Sequence, residues 1–151
     1  MFQRILVPID GSETSTKALV AALQLARESG GQVRLLHAIE EQAYITGFEY
    51  STPVLQQALE WARKCLDDGL DMARSAGVPA DSRLQELPGR RLGEVVADEA
   101  RAFEADLVVV GTHGRRGISR ALLGSGAEQV IRMAPVPVLV IRTPEAAEAS
   151  A

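Results

Sequence analysis

Cysteine occurs once in this 151-residue sequence, as Cys65, so no intrachain disulfide can form. Histidine occurs twice, as His37 and His113, and no paired Cys/His spacing offers a zinc site. Aromatic side chains are scarce at 4%, with one Trp, two Tyr and three Phe. Positive charge is also short: the net charge is −4, which argues against a nucleic-acid backbone as the main partner. No apolar run reaches the ~18 residues of a membrane span, and the N-terminus has no signal-peptide pattern. The expectation is a cytoplasmic protein with neither a membrane nor a nucleic-acid partner. What is plentiful is apolar surface, at 46% of residues against 24% charged, enough for one globular domain with a full core.

The apolar residues fall into alternating patterns. Residues 4–9, ending in Asp10-Gly11-Ser12, read as a buried first strand, with Pro8 at its end because proline cannot donate to a ladder. Ser12 or Thr14 caps a helix with Ala18, Leu19, Ala22, Leu23 and Ala26 on its apolar face, stopped by Gly30-Gly31. Residues 32–39 form a second strand. Periodicity lapses over 40–53, a loop holding Tyr44, Phe48 and Tyr50, which could fold over a ligand or pack on the surface. A long helix follows with a stripe through Leu55, Ala62, Leu66 and Ala73, and Cys65 on that stripe reads as a small core residue. Residues 82–87 suggest an edge strand, and Leu92, Val95, Val96, Ala100 and Phe103 mark a third helix. The run 106–110 is apolar throughout, as in a strand buried on both faces. A helix over about 121–133 and a last strand over 137–142 complete the pattern. The reading is a single domain over 1–143 and a flexible tail over 144–151.

Alternating strands and helices predict an α/β fold, a doubly wound five-stranded parallel sheet with helices on both faces. In strand order 3-2-1-4-5 the ends of strands one and four, Pro8-Ile9-Asp10 and Gly111 to Gly114, lie side by side. Ligands bind beyond the carboxyl ends of such sheets, where the strand order switches.

Several α/β chemistries are excluded. No G-x-G-x-x-G follows the first strand, and Gly111 to Ser119 contains no Gly-Lys-Ser/Thr. The third strand ends Glu86-Leu87-Pro88-Gly89, without the aspartate of a phospho-acceptor receiver. His37 reads as a packed strand residue, and His113 has no assigned nucleophile. What remains is Gly111-Thr112-His113-Gly114 and, after nine further residues, Gly124-Ser125 at a helix start. Glycines let a backbone approach a phosphate, and the N–H groups at a helix N-terminus favour an anion. The alternative is a plain strand-to-helix loop in which Ser125-Gly126-Ala127-Glu128 is a capping box that needs no ligand.

The Gly111-x-x-Gly114-(nine residues)-Gly124-Ser125 spacing resembles the nucleotide-binding signature of the universal stress protein family. So do Ile5-Leu6-Val7-Pro8-Ile9-Asp10-Gly11-Ser12, Leu36-His37-Ala38 and Pro135-Val136-Pro137-Val138-Leu139-Val140, and the similarity spans residues 2–142. The resemblance implies an ATP-binding domain. Asp10 would contact the adenosine, with Pro8, Ile9 and Ala38 as the adenine wall. Gly111, Thr112 and Gly114 would form the ribose and phosphate loop. Gly124, Ser125 and the N–H of Gly126 would cradle the triphosphate; position 126 is often a larger aliphatic in the family. Arg115, Arg116 and Arg120 add positive charge that meets phosphates or is simply solvated. Mg2+ or Mn2+ could share the phosphates without leaving a protein-ligand signature.

Three functions follow from this. One is a stress-response or signalling module that senses or holds ATP without a catalytic residue, acting on an unknown downstream protein. Another is a slow ATPase or self-phosphorylating enzyme, which the lack of an obvious general base disfavours. The third is a scaffold with an empty site, which the intact glycines disfavour. A homodimer through the last strand, 137–142, is expected, since an apolar edge is an aggregation hazard that two-fold pairing removes.

Overall fold

The structure, a computed structural model, describes residues 1–39, 52–86, 89–112 and 123–142. The expected loop 40–53 falls outside them except for its last two residues, and the expected tail 144–151 falls outside entirely.

The chain runs β1 (Arg4–Pro8), α1 (Glu13–Ser29), β2 (Gln32–Ala38), α2 (Thr52–Ala76), β3 (Ala80–Gln85), α3 (Leu92–Phe103), β4 (Leu107–Gly111), α4 (Ser125–Met133) and β5 (Val138–Ile141). All pairings are parallel, and the five strands lie in the expected order β3-β2-β1-β4-β5. Helices cover both faces of the central strands, so β1 and β4 read as apolar runs after Arg4, and β2 is apolar at Val33, Leu35 and Leu36. Alternation sends Ile5, Val7, Val33, Leu35, Leu107 and Val109 into one layer, against Ala18, Leu19, Ala22 and Leu23 of α1 and Cys65, Leu66 and Ala73 of α2. Leu6, Leu36, Val108 and Val110 face the other way, against Val95, Val96, Ala100 and Phe103 of α3 and Ala127 and Val130 of α4. Cys65 is buried in the first layer, as its place on the helical stripe predicts.

Three elements start two or more residues from where the sequence reading puts them, and several strand ends differ by a single residue. β3 occupies Ala80–Gln85 rather than 82–87, because Val33 pairs with Ala80 and the Val33 N–H donates to the Pro79 carbonyl at 3.0 Å. Pairing with β2 thus starts the strand as soon as the chain leaves Pro79. α2 begins at Thr52, so Pro53 belongs to a first helical turn, where its missing N–H costs nothing. α4 begins at Ser125 rather than near 121. Its N-cap is Gly124, in extended conformation with φ −64° and ψ 152° and no side-chain cap bond. The capping box expected over Ser125–Glu128 is therefore not made. Ser125 is the first helical residue, and the Glu128 carboxylate accepts from Arg132 at 3.3 Å instead of reaching back.

At α1 the expected cap is present. The Ser12 hydroxyl oxygen accepts the Ser15 N–H at 3.2 Å, and Gly30 ends the helix with φ 71°.

Candidate functional site

β1 and β4 are direct neighbours, with Ile5 opposite Leu107 and Leu6 opposite Val108. Their carboxyl ends, Pro8 to Asp10 and Gly111-Thr112, therefore meet where the strand order reverses. This is the place at which the alternating pattern predicts a ligand crevice.

On the β1 side the chain turns sharply into α1. The Asp10 Oδ1 accepts the Ser12 N–H at 2.9 Å, and the Asp10 N–H donates to the Ser15 hydroxyl at 3.4 Å. Both contacts fold the Asp10 turn onto the first turn of α1. Pro8 follows Leu6 on the α3/α4 face, and Ala38 packs there as well. Ile9 faces the other layer: its side chain is buried with α1 and α2, and its N–H is taken by the Leu36 carbonyl at 2.8 Å. Of the three residues expected as the adenine wall, Pro8 and Ala38 share a face, and the Ile9 side chain packs in the other layer.

On the β4 side the strand end leans directly on α1. A Cβ at Gly111 would lie 2.8 Å from both the carbonyl carbon and oxygen of Thr14. Gly111 thus has a packing role that its place in the glycine motif did not reveal. Thr112 is buried and joins three elements. Its N–H donates to the Ile141 carbonyl at 2.9 Å, and its carbonyl accepts the Gly124 N–H at 2.7 Å. The second bond ties the start of α4 to the end of β4.

That start is an anion-favouring group. Gly124 has spent its N–H on Thr112, and the Glu128 N–H donates to the Gly124 carbonyl at 3.0 Å. The N–H groups of Ser125, Gly126 and Ala127 lie in the first turn, where helix geometry supplies no acceptor within the helix, and the macrodipole adds partial positive charge. Ser125 is exposed. A Cβ at Gly126 would meet only Leu92 Cδ2, at 2.9 Å. Leu92 of α3 therefore occupies the room that a larger aliphatic at position 126 would need. Gly114, His113, Arg115, Arg116 and Arg120 lie outside the described residues.

Among the described residues, no group of three His, Cys, Asp or Glu side chains could hold a metal ion. A charge network among the described residues lies elsewhere, toward the amino ends of the strands. There Arg34 donates to both oxygens of Asp81 at 2.8 Å and to the buried Glu99 at 2.9 Å, while its guanidinium stacks 4.3 Å from the Phe103 ring centroid. Sequence reading missed this network. Its signal was Arg34, a charged side chain in a strand paired on both sides.

Comparison with known proteins agrees with this architecture. The model of the universal stress protein family matches residues 1–142. The chain belongs to the universal stress protein family. A universal stress protein of Methanocaldococcus jannaschii is 33% identical over 147 residues, covering 96% of this chain and 85% of the relative. A crystal structure of a family protein from Burkholderia pseudomallei superposes with a TM-score of 0.77 at 30% identity, covering 93% of this chain and 96% of that one. A family member solved in complex with cAMP superposes with a TM-score of 0.70 at 26% identity, covering 95% and 99% of the two chains. Among the described residues, no helix is long and apolar enough to cross a membrane.

Proposed function

We propose that this chain is an ATP-binding universal stress protein, a module that holds an adenine nucleotide at the carboxyl ends of β1 and β4 and signals its presence rather than turning it over. The adenosine half lies at the Asp10 turn, with Pro8, Ala38 and the Ile9 main chain as its wall. Gly111, Thr112 and Gly114 line the passage to the phosphates. The triphosphate rests on Gly124, Ser125 and the N–H of Gly126, with Arg115 and a shared Mg2+ or Mn2+ balancing its charge. The observation that carries this reading is the Gly124 N–H to Thr112 carbonyl bond of 2.7 Å, which holds the open first turn of α4 beside the crevice between β1 and β4. Binding of cAMP by a relative of the same fold supports an adenine nucleotide as the ligand class. Leu92 over Gly126 supports a cradle whose apolar cover comes from α3.

The fold further supports a homodimer. β5 is a sheet edge, and its Leu139 is 38% exposed.

Nucleotide carried through purification and thermal melting with Mg-ATP, AMP and cAMP test the reading. ATP at about one hundred times its Kd should add roughly 2.7 kcal/mol of stability, a rise of about 5–10 °C for a domain of this size. No shift with any adenine nucleotide would favour an empty-site scaffold, and phosphate release on the timescale of binding would favour an enzyme.

A further inference from the structure

One side chain braces the β1 end of the crevice from the opposite layer. Trp61 is the chain's only tryptophan and sits half-buried in α2, packed against the α1/α2 core. Its indole N–H donates to the Asp10 carbonyl at 3.2 Å. The same ring fills the space beside Gly11, whose φ of +85° lies in the left-handed region. A Cβ at Gly11 would collide with Trp61 Cζ2 and approach Cys65 Sγ to 2.9 Å. The Asp10–Gly11 peptide is thus clamped on one side by the indole. On the other, the Asp10 carboxylate accepts the Ser12 N–H at 2.9 Å. A partly buried indole N–H finds an acceptor; here that acceptor is the main chain of Asp10, the residue proposed to meet the adenosine.

We propose that Trp61 is a positioning residue for nucleoside binding, its N–H and ring holding the Asp10-Gly11-Ser12 turn in the shape that presents Asp10 to the adenosine half of the nucleotide. The inference rests on the nucleotide reading above and divides the work within it. α2 sets the nucleoside end through Trp61, whereas the first turn of α4 sets the phosphate end. Glycine at position 11 belongs to the same device, because it alone lets the ring close on the turn.

The test sets Trp61→Phe, which removes the N–H and the fused benzo ring, beside Ala62→Gly, which weakens the same helix at the next residue. Dissociation constants are measured by calorimetry for Mg-ATP and for inorganic tripolyphosphate, which offers the cradle phosphates without a nucleoside. Trp61→Phe should weaken ATP roughly three- to tenfold, the scale of one lost hydrogen bond, and leave tripolyphosphate within about twofold. Ala62→Gly should lower the melting temperature and leave the ratio of the two constants unchanged. If Trp61→Phe does not fold, 3-benzothienylalanine at position 61 keeps the ring size, removes only the N–H and reads the same ratio. A Trp61 variant that shifts both ligands together, or neither, overturns the positioning role while the nucleotide reading stands. Wild-type protein that binds ATP no more tightly than tripolyphosphate, or binds neither, overturns the nucleotide reading and this inference with it.

Discussion

Replacing Gly111 by alanine separates a glycine kept for packing from one kept for a ligand. The added Cβ would sit 2.8 Å from the Thr14 carbonyl carbon and oxygen and 2.9 Å from the Thr14 Cβ. Comfortable contact begins near ~3.5 Å, so the overlap is about 0.7 Å. The carbonyl atoms belong to the main chain in the first turn of α1 and cannot rotate aside. Either β4 or α1 must shift, and overpacking of this kind costs roughly 1–3 kcal/mol. For a chain of this length a loss of about 2 kcal/mol lowers the melting temperature by roughly 4–8 °C. Gly126→Ala is the matched control. Its Cβ meets only the terminal methyl of Leu92, which can swing away, and alanine gains up to about 1 kcal/mol over glycine inside a helix. The same chemical change should therefore destabilise at 111 and be neutral or stabilising at 126. Urea unfolding of nucleotide-free protein, followed by Trp61 fluorescence and far-UV circular dichroism, reads both variants, with ATP titrations in parallel. A Gly111→Ala protein as stable as the wild type, with its loss confined to ATP binding, would refute the packing argument and return Gly111 to the ligand alone.

Acid should act through Asp81, whose carboxyl is held below its ordinary range by the two hydrogen bonds from Arg34. A lowered folded pKa stabilises the protein above the unfolded value of ~3.9, and that contribution is lost as pH falls through the folded value. Stability should thus drop more steeply below about pH 4 in the wild type than in Asp81→Asn, and superimposable acid-unfolding curves would contradict this. Ser125→Ala should change stability by less than about 0.5 kcal/mol, because the cap of α4 is Gly124 and Ser125 is exposed. A loss near ~1 kcal/mol in denaturant would restore Ser125 as the cap. Wild-type protein should sediment as a dimer at micromolar concentration, and Leu139→Lys should shift it toward monomer by charging the β5 edge. A monomeric wild type would remove the dimer.

The alternation of elements and the crevice were legible because β1 and β4 are apolar runs after Arg4, β2 is apolar at Val33, Leu35 and Leu36, and each helix carries one apolar stripe. Those patterns depend on burial, and burial is what the sheet supplies. β3 was read two residues late because it is an edge strand with Asp81 and Arg83 on its exposed face, so its alternation is weak where register with β2 decides its start. Ser125 looked like a cap because the serine-to-glutamate spacing is a sound local signal. The Gly124 to Thr112 bond, a contact between segments distant in the chain, moved the cap back by one residue. The candidate site residues came from the family resemblance, but the packing reason for Gly111 did not, since Thr14 is nearly a hundred residues away in the chain. Trp61 could have been noticed. The sole tryptophan stands four residues before Cys65 on one helical face, which already aimed it at the inner layer.

The bond from Gly124 to Thr112 also bears on how this loop can change over time. It fixes the two ends of residues 113–123 beside one another, whatever lies between. Lengthening a chain segment whose ends are already pinned is cheap, about 0.6 kcal/mol for each doubling. The position of the α4 N-terminus is therefore independent of the number of residues that lead up to it. Insertions and deletions here should leave both anchor points, Thr112 and Gly124, in register.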